Sequence, residues 1–364
     1  MTSIKSEILI DANILRKNIK VIKNKLQKNS KFMAVIKSDA YGHNISRTVE
    51  DIDDLVDGYG VVRIEEALEI RKKSNKKVLL MQGIYSKEEY ILSKNQKLDL
   101  VIHNKNQFNL VKDEKNHEMF WYKVNTGMNR LGFEISDFIK IYEKYLKEKK
   151  FTLMSHLASS NDKESSSNES QFKLFNDLSN QLNKNILKSI ANTGCIMNFP
   201  EFSLDWVRCG IGIYGGYLND DQLKTAMTLR SPIINIRSIK KGDKVGYDGR
   251  AVAKNDMKIA SVYLGYADGL PVTIKDGTSV MVRDQIAKVF GRVSMDLTTI
   301  DVTQISNCRI GDWCEFFSPK LPISNISKSN DLISYYIMTN IKSRVTKVYK
   351  LSLIHISEPT RRLC

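Results

Sequence analysis

The chain has 364 residues, 42% of them hydrophobic and 27% charged, and a formal charge of +15 at neutral pH. That length exceeds one modest core and points to two domains, while no apolar run reaches the roughly 18 to 20 residues of a membrane span. The excess Lys and Arg is scattered, without an RNP, zinc-finger or basic-region pattern, so a solvated basic surface is expected rather than nucleic-acid binding. The five cysteines (Cys195, Cys209, Cys308, Cys314, Cys364) show no metal-type pairing. With no signal-like apolar core in MTSIKSEILID, they suggest reduced thiols and the cytoplasm.

Short apolar runs follow in chain order, each of strand type: KFMAVIK from Lys31, DGYGVV from Asp57, KVLLMQ from Lys77 and LDLVIH from Leu98. MFWYKVN from Met119, FTLMSHL from Phe151, LKSIANT from Leu187 and WVRCGIGIY from Trp206 complete eight. Helix-like stretches such as IEEALEIRKK and SQFKLFNDLSNQLNK lie between them. Alternation of this kind predicts an α/β fold, a (β/α)8 TIM-like barrel over 8–229, and continuous apolar strands suit a sheet covered on both faces. The polar stretch Ser159 to Ser170 reads as a long exposed loop. After Leu229 the runs SPIINIRSI, KVGYDGRAVA, MKIASVYLGYA, TSVMVRDQIAKVFGR and LTTIDV, broken by Gly/Asp turns, predict a mainly β domain over 230–350. Helical patterning returns at SNDLISYYIMTNI, and the last residues, 351–364, break with the Lys- and Asn-rich habit of the chain and read as a non-native tail.

Polar residues recur at the C-terminal edges of the predicted barrel strands, the edge where such barrels do chemistry. Lys37 ends the first run and leads into SDAYGHN, so Tyr41 and Gly42 lie in a loop suited to approach a phosphate beside a Schiff-base lysine. His156 ends the sixth run, Asn192 and Thr193 the seventh, and Arg208 precedes Gly210 and Ile211 on the eighth. Each alone has a plain structural explanation: a loop lysine, a satisfied core histidine, a capping threonine, an arginine in an ion pair. Their convergence on one rim favours a site, with Thr193 and the Gly210 and Ile211 amides arranged for phosphate. Tyr247 alone is most simply a packed strand tyrosine.

AVIKSDAYGH resembles the cofactor-lysine motif of bacterial alanine racemases. KVNTGMNRLGF, ANTG, VRCGIGIYG, VGYDG, GYADG and GRVSMD resemble that family's further landmarks in the same order, over roughly residues 31 to 350. The resemblance implies pyridoxal 5′-phosphate (PLP) on Lys37, with Tyr41, Asn192, Thr193, Gly210, Ile211 and Tyr335 about its phosphate. It implies Arg208 at the pyridine nitrogen with His156 beside the ring, Arg130 at the phenolic oxygen and the substrate carboxylate, and a carbamylated Lys123 holding Arg130. Two bases are implied, Lys37 and Tyr247, the latter from the partner subunit of a homodimer, with Tyr266 and Met295 lining the substrate entrance. The implied activity is interconversion of L- and D-alanine, supplying D-alanine for peptidoglycan, with no metal.

Some positions depart from the family pattern: Asn125 stands where Asp is usual, Cys209 where Pro is usual, Ser189 where His is frequent, and Val272 where an Arg commonly follows GYADG. The change at Val272 leaves open a racemase for serine or a broader range of amino acids. A non-catalytic PLP carrier shares the barrel alone, and the added β domain with Tyr247 argues against it.

Overall fold

The computed structural model describes residues 5–218 and 220–350; the tail expected at 351–364 lies outside them. Ile19–Ile213 forms one compact unit, and the residues before it together with those from Tyr214 onward form another. The sequence reading placed 8–229 in the barrel. In the structure the first strand, β1 (Glu7–Asp11), belongs with the second unit, because its partners are Met227–Arg230 and Thr346–Lys350 rather than a barrel strand.

The first unit is an eight-stranded parallel sheet rolled into a nearly closed barrel. Its strands are β2 (Lys31–Val35), β3 (Gly58–Val61), β4 (Lys77–Leu80), β5 (Asp99–Ile102), β6 (Phe120–Lys123), β7 (Thr152–Met154), β8 (Leu187–Ser189) and β9 (Trp206–Cys209). Each pairs with its successor up to β8, and β9 returns to β2. The remaining seam between β8 and β9 is bridged where the Arg208 N–H donates to the Ala191 carbonyl at 2.9 Å and Ser189 Oγ donates to the Trp206 carbonyl at 2.7 Å. All eight expected runs are strands. Met33, Leu79, Val101, Trp121, Met154 and Trp206 fill the interior, with the two indoles 5.8 Å apart. Large apolar side chains there supply most of the unit's packing.

The polar stretch from Ser159 is a loop only as far as Ser165. A helix, Ser166–Gln181, starts inside the run of serines and buries Asn168, Gln171, Phe172 and Phe175. Serines concealed its start, since they favour loops and helix N-termini alike.

The second unit is built on β10 (Met227–Ile239), followed by β11 (Lys244–Val245), β12 (Ala251–Val252), β13 (Met257–Val262), β14 (Ser279–Val282), β15 (Gln285–Val289), β16 (Thr298–Asp301), β17 (Trp313–Phe317) and β18 (Thr346–Lys350). Strand β10 pairs with β17 over Leu229–Pro232 and with β13 over Ile233–Ile239, which closes six strands into a ring. TSVMVRDQIAKVFGR is a hairpin, not one strand: it turns at Arg283 and Asp284, both left-handed at φ 52° and 60°. Without the Asn-Gly or Asp-Gly pair usual for such a turn, the sequence hides it. Strands β17 and β18 carried no sequence signal that singled them out, whereas SNDLISYYIMTNI does contain a helix, Ser334–Asn340.

One buried charge marks the N-terminal end of the barrel. Asp99 accepts from Lys77 Nζ at 2.7 Å and from the Trp121 indole N–H at 2.8 Å. Asp99→Ala strands both donors and is expected to lower unfolding free energy by about 2–3 kcal/mol. Urea denaturation with an unchanged m-value is the measurement that checks this.

Candidate functional site

Strand alternation places the chemistry. Side chains two residues apart share a face, so the residue two or four places beyond an interior core residue points towards the barrel mouth. Lys37 follows Met33 and Val35 in this way, Lys123 follows Trp121, His156 follows Met154, and Arg208 follows Trp206. His103, which the sequence reading did not single out, follows Val101 by the same rule, and its charge interacts with Lys123. The signal for it was present as the same two-residue spacing.

Arg208 is buried. Its Nη1 donates to Ser189 Oγ, and its Nη2 donates to the Ser155 carbonyl at 2.7 Å and the Ile190 carbonyl at 3.4 Å. Nη2 also lies 3.3 Å from His156 Nδ1; a guanidinium only donates, so that nitrogen accepts and the neutral ring carries its proton on Nε2. Arg208 Nε is buried with no hydrogen-bond partner. Burial pulls the guanidinium down to about 10. Ser189 thus supplies the acceptor at the place where the resembling family often has His.

Other cations surround it. Burial, then Arg208 and Arg130, bring the Lys123 amine down to about 8. Burial followed by Arg208, Lys123, Arg130 and Lys37 holds His156 well below the ordinary imidazole range. Lys37 is lowered by burial and by Arg130, and raised by Glu66. Arg130 itself is exposed, on a loop tied by Asn125: the Asn125 oxygen accepts the Gly127 and Asn129 N–H groups at 3.1 and 3.0 Å, and its amide donates to Glu134 at 3.1 Å. Asn serves this turn as Asp would, and its amide adds donors that Asp lacks, used toward Asn129 at 2.8 Å and Glu134. A pocket with so many positive groups favours anions.

A turn built for close approach lies beside the cations. Gly210 carries no Cβ, and one placed there would come within 2.5 Å of the Tyr41 hydroxyl. Thr193 Oγ1 accepts the Gly210 N–H at 3.2 Å and lies 3.4 Å from Cys209 Sγ. Burial raises that thiol to about 12, so it stays protonated in the place usual for Pro. Asn192 is the N-cap of the helix Thr193–Asn198, its oxygen accepting from the Cys195 N–H at 3.0 Å and from Ser160 Oγ at 2.6 Å. Gln171 steadies the neighbouring loop, donating to the His156 carbonyl at 3.1 Å and accepting the Ala158 N–H at 2.9 Å. Ser155, Ser160 and Gln171 lacked any motif in the sequence, and only the fold brings them in; Ser189 stood out only as a departure from the family pattern, and the fold supplies its role.

The remaining expected residues lie in the second unit. Tyr247, Tyr266, Val272 and Met295 line one cavity of about 650 Å³ there, with Asp248 and Arg292. Tyr247 sits on a turn between β11 and β12, 67% exposed, and is therefore not a packed strand tyrosine. GYADG folds onto SMD: the Tyr266 and Ala267 N–H groups donate to the Ser294 and Met295 carbonyls, and a Cβ at Gly265 would strike both oxygens. Tyr335 lies on the helix Ser334–Asn340, beside the cavity residue Tyr336. Among the described residues no group of His, Cys, Asp or Glu could hold a metal, and no helix is long and apolar enough to cross a membrane.

The family model "Alanine racemase, N-terminal domain" matches residues 10–218, and "Alanine racemase, C-terminal domain" matches residues 226–349. The alanine racemase of Nitrosomonas eutropha is 33% identical over 353 residues, 93% of this chain and 97% of its own length. That of Alteromonas mediterranea is 34% identical over 355 residues, 95% and 98% of the two chains. Among solved structures, the biosynthetic alanine racemase from Pseudomonas aeruginosa superposes with a TM-score of 0.90 at 29% identity, covering 96% of this chain and all of that one. The alanine racemase from Bartonella henselae, solved with covalently bound pyridoxal phosphate, gives 0.85 at 26% identity, with 96% and 100% covered.

The cation cluster yields a direct titration test. With carbon dioxide excluded, so that the Lys123 amine is free, and the lysines dimethylated with carbon-13, the Lys123 signal is expected to titrate near pH 8. In Arg130→Ala the midpoint rises, since a neighbouring positive charge has gone. An NMR pH series, assigned by Lys123→Arg, measures both.

Proposed function

The chain belongs to the alanine racemase family, and from that premise we propose that it interconverts L- and D-alanine using PLP held on Lys37. The observation that carries this reading is Arg208: a buried guanidinium among cations, with an Nε–H that has no protein acceptor. The pyridine nitrogen of PLP is such an acceptor, and its phosphate and phenolic oxygen answer the positive charge. The Gly210 position supports the same fit, since only a residue without Cβ leaves room for the Tyr41 hydroxyl.

Tyr41, Asn192, Thr193, Gly210, Ile211 and Tyr335 would hold the phosphate, and His156 would lie by the ring. Arg130 would bind the phenolic oxygen and the substrate carboxylate. When bound, the cofactor supplies the electron sink that acidifies the amino acid's Cα–H. Arg208, as a donor to the ring nitrogen rather than an acid protonating it, restrains that sink and so disfavours side reactions. Lys37, lowered by burial and Arg130, takes or returns the proton on one face. Tyr247 does so on the other. We assign Tyr247, Tyr266 and Met295 to the partner subunit's site in a homodimer; their exposure around an open, partly apolar cavity supports a covered surface there. Carbamylation of Lys123 is supported by its lowered amine: at about 8 it is neutral and nucleophilic more often than a solvated lysine, and between Arg208 and Arg130 an anion is favoured over a third cation.

The four described cysteines are free thiols, which supports the cytoplasm, where D-alanine would feed peptidoglycan. Val272, 44% exposed on the cavity wall, favours as a second reading a racemase that also accepts serine.

Purified protein given L-alanine is expected to form D-alanine by chiral chromatography, and Lys37→Ala to form none. Tyr247→Phe is expected to lose about 10²- to 10⁴-fold in turnover. Mixing these two inactive variants restores a fraction of activity if sites are shared between subunits. A protein that binds no PLP overturns the reading. One that binds PLP but turns over serine in preference to alanine establishes the second reading.

A further inference from the structure

The chain leaves Lys37 into a segment that L-residues avoid. Ser38, Asp39, Ala40 and Tyr41 are all left-handed, with φ between 52° and 56°. Such a turn costs about 1–2 kcal/mol per residue and survives only where its surroundings over-determine it. The far end is held by packing, since Ala40 and Tyr41 are buried, and His43 Nδ1 lies 3.1 Å from both of their carbonyl oxygens. The near end, beside Lys37, is exposed at Ser38 and Asp39, where hydrogen bonds take over from packing: Asp39 Oδ1 accepts the Ile45 N–H at 3.0 Å, and the Ser38 carbonyl accepts the Gly42 N–H at 3.1 Å.

That end is also gripped by Glu66, from the helix Ile64–Arg71 that follows β3. Its Oε1 accepts the Ser38 N–H at 2.6 Å, while Oε2 accepts the Val62 and Arg63 N–H groups, both at 3.1 Å. One carboxylate therefore joins the turn after β2 to the first residues after β3, through charge-assisted hydrogen bonds. We propose that Glu66 is the positioning residue of the cofactor lysine: it clamps the left-handed turn at Ser38 and sets a negative charge against the Lys37 amine. The proposal rests on the assignment of PLP to Lys37 and adds a residue that no motif marked.

The charged and titratable groups facing Lys37 are Arg130 from the loop after β6, His156 after β7, and Glu66. Burial lowers the amine most, Arg130 lowers it further, and Glu66 opposes both. Without that carboxylate Lys37 would be neutral at lower pH and less firmly aimed.

The test separates the two effects. Glu66→Gln keeps one oxygen for the Ser38 N–H and removes the charge, giving up the acceptor for the Val62 and Arg63 N–H groups; Glu66→Ala removes every acceptor. Competitive acetylation of the PLP-free chain, read by peptide mass spectrometry across pH, gives the Lys37 midpoint without reference to PLP. That midpoint is expected to fall in Glu66→Gln, because the carboxylate that raises it has gone. Release of PLP, followed by absorbance after dilution, is expected to be about tenfold faster in Glu66→Ala, the effect of losing one charged hydrogen bond. Glu65→Gln, an exposed neighbour, serves as control and changes neither. If Glu66→Gln leaves the Lys37 midpoint in place, or Glu66→Ala with unchanged circular dichroism releases PLP at the wild-type rate, the proposal is overturned. If Glu66→Ala does not fold, Glu66→Gln decides alone. A wild-type chain that binds no PLP defeats the assignment of the cofactor, while the acetylation midpoint still judges Glu66.

Discussion

A guanidinium with no carboxylate beside it, inside an apolar barrel, is the constraint on which this site depends. Arg208 is held by a hydroxyl and two carbonyls, and none of these neutralises it. Its contacts reach across the seam where β9 meets β8 and on to the residues after β7, so the charge that makes the site also helps to close the barrel. Removing solvent from a charge without giving it a counter-ion is costly. The protein bears that cost because the hydrogen bonds satisfy most of the fork and leave one donor for something else.

The same positive charge governs its neighbours. Lys123, His156 and Lys37 are each lowered, with burial first and the surrounding cations next. Two amines nearer neutrality than a solvated lysine are what acid–base chemistry and carbamylation both need. The left-handed turn after Lys37 adds conformational strain to this electrostatic strain. Local rules are broken most here, at the mouth; deeper in the barrel Trp121, Trp206 and the methionines pack against one another, with Asp99 taking the Trp121 indole N–H and the Trp206 indole N–H left without a partner. That is the pattern expected where function sets the conformation.

This contrast explains what could be read from the sequence. The eight strands were legible because buried parallel strands are continuous apolar runs, and the two-residue spacing from Trp206 to Arg208 or Trp121 to Lys123 carries over directly into the barrel axis. The boundary was not legible: β1 is an ordinary short strand, and nothing local tells it to pair with β10 and β18 rather than with β2. The turn at Arg283 and Asp284 lacked its usual residue signal, and the serines at the helix start near Ser166 suit a loop as well as a helix N-terminus. Ser155, Gln171 and Glu66 act by accepting or donating across segments distant in sequence, and such roles have no local pattern to show.

Tyr247 shows the opposite case, a residue whose surroundings make little sense within its own unit. Its turn is fixed firmly: Gly246 and Asp248 take positive φ, Asp248 pairs with Arg292 at 3.0 Å, and Arg250 donates to Asp276, Gly291 and Ile274. All this rigidity presents a phenol that is 67% exposed. An exposed aromatic ring contributes little to the packing of its own unit, so the ordering of the turn gains the unit nothing by burial. Preorganisation of that kind is useful when the group must meet something else in one orientation. Racemisation needs a proton carrier on each face of the substrate, and the proposed role of Lys37 covers one face only. An ordered, solvent-facing phenol is suited to the second, and that is the physical argument behind the proposal that Tyr247 serves a partner subunit's site.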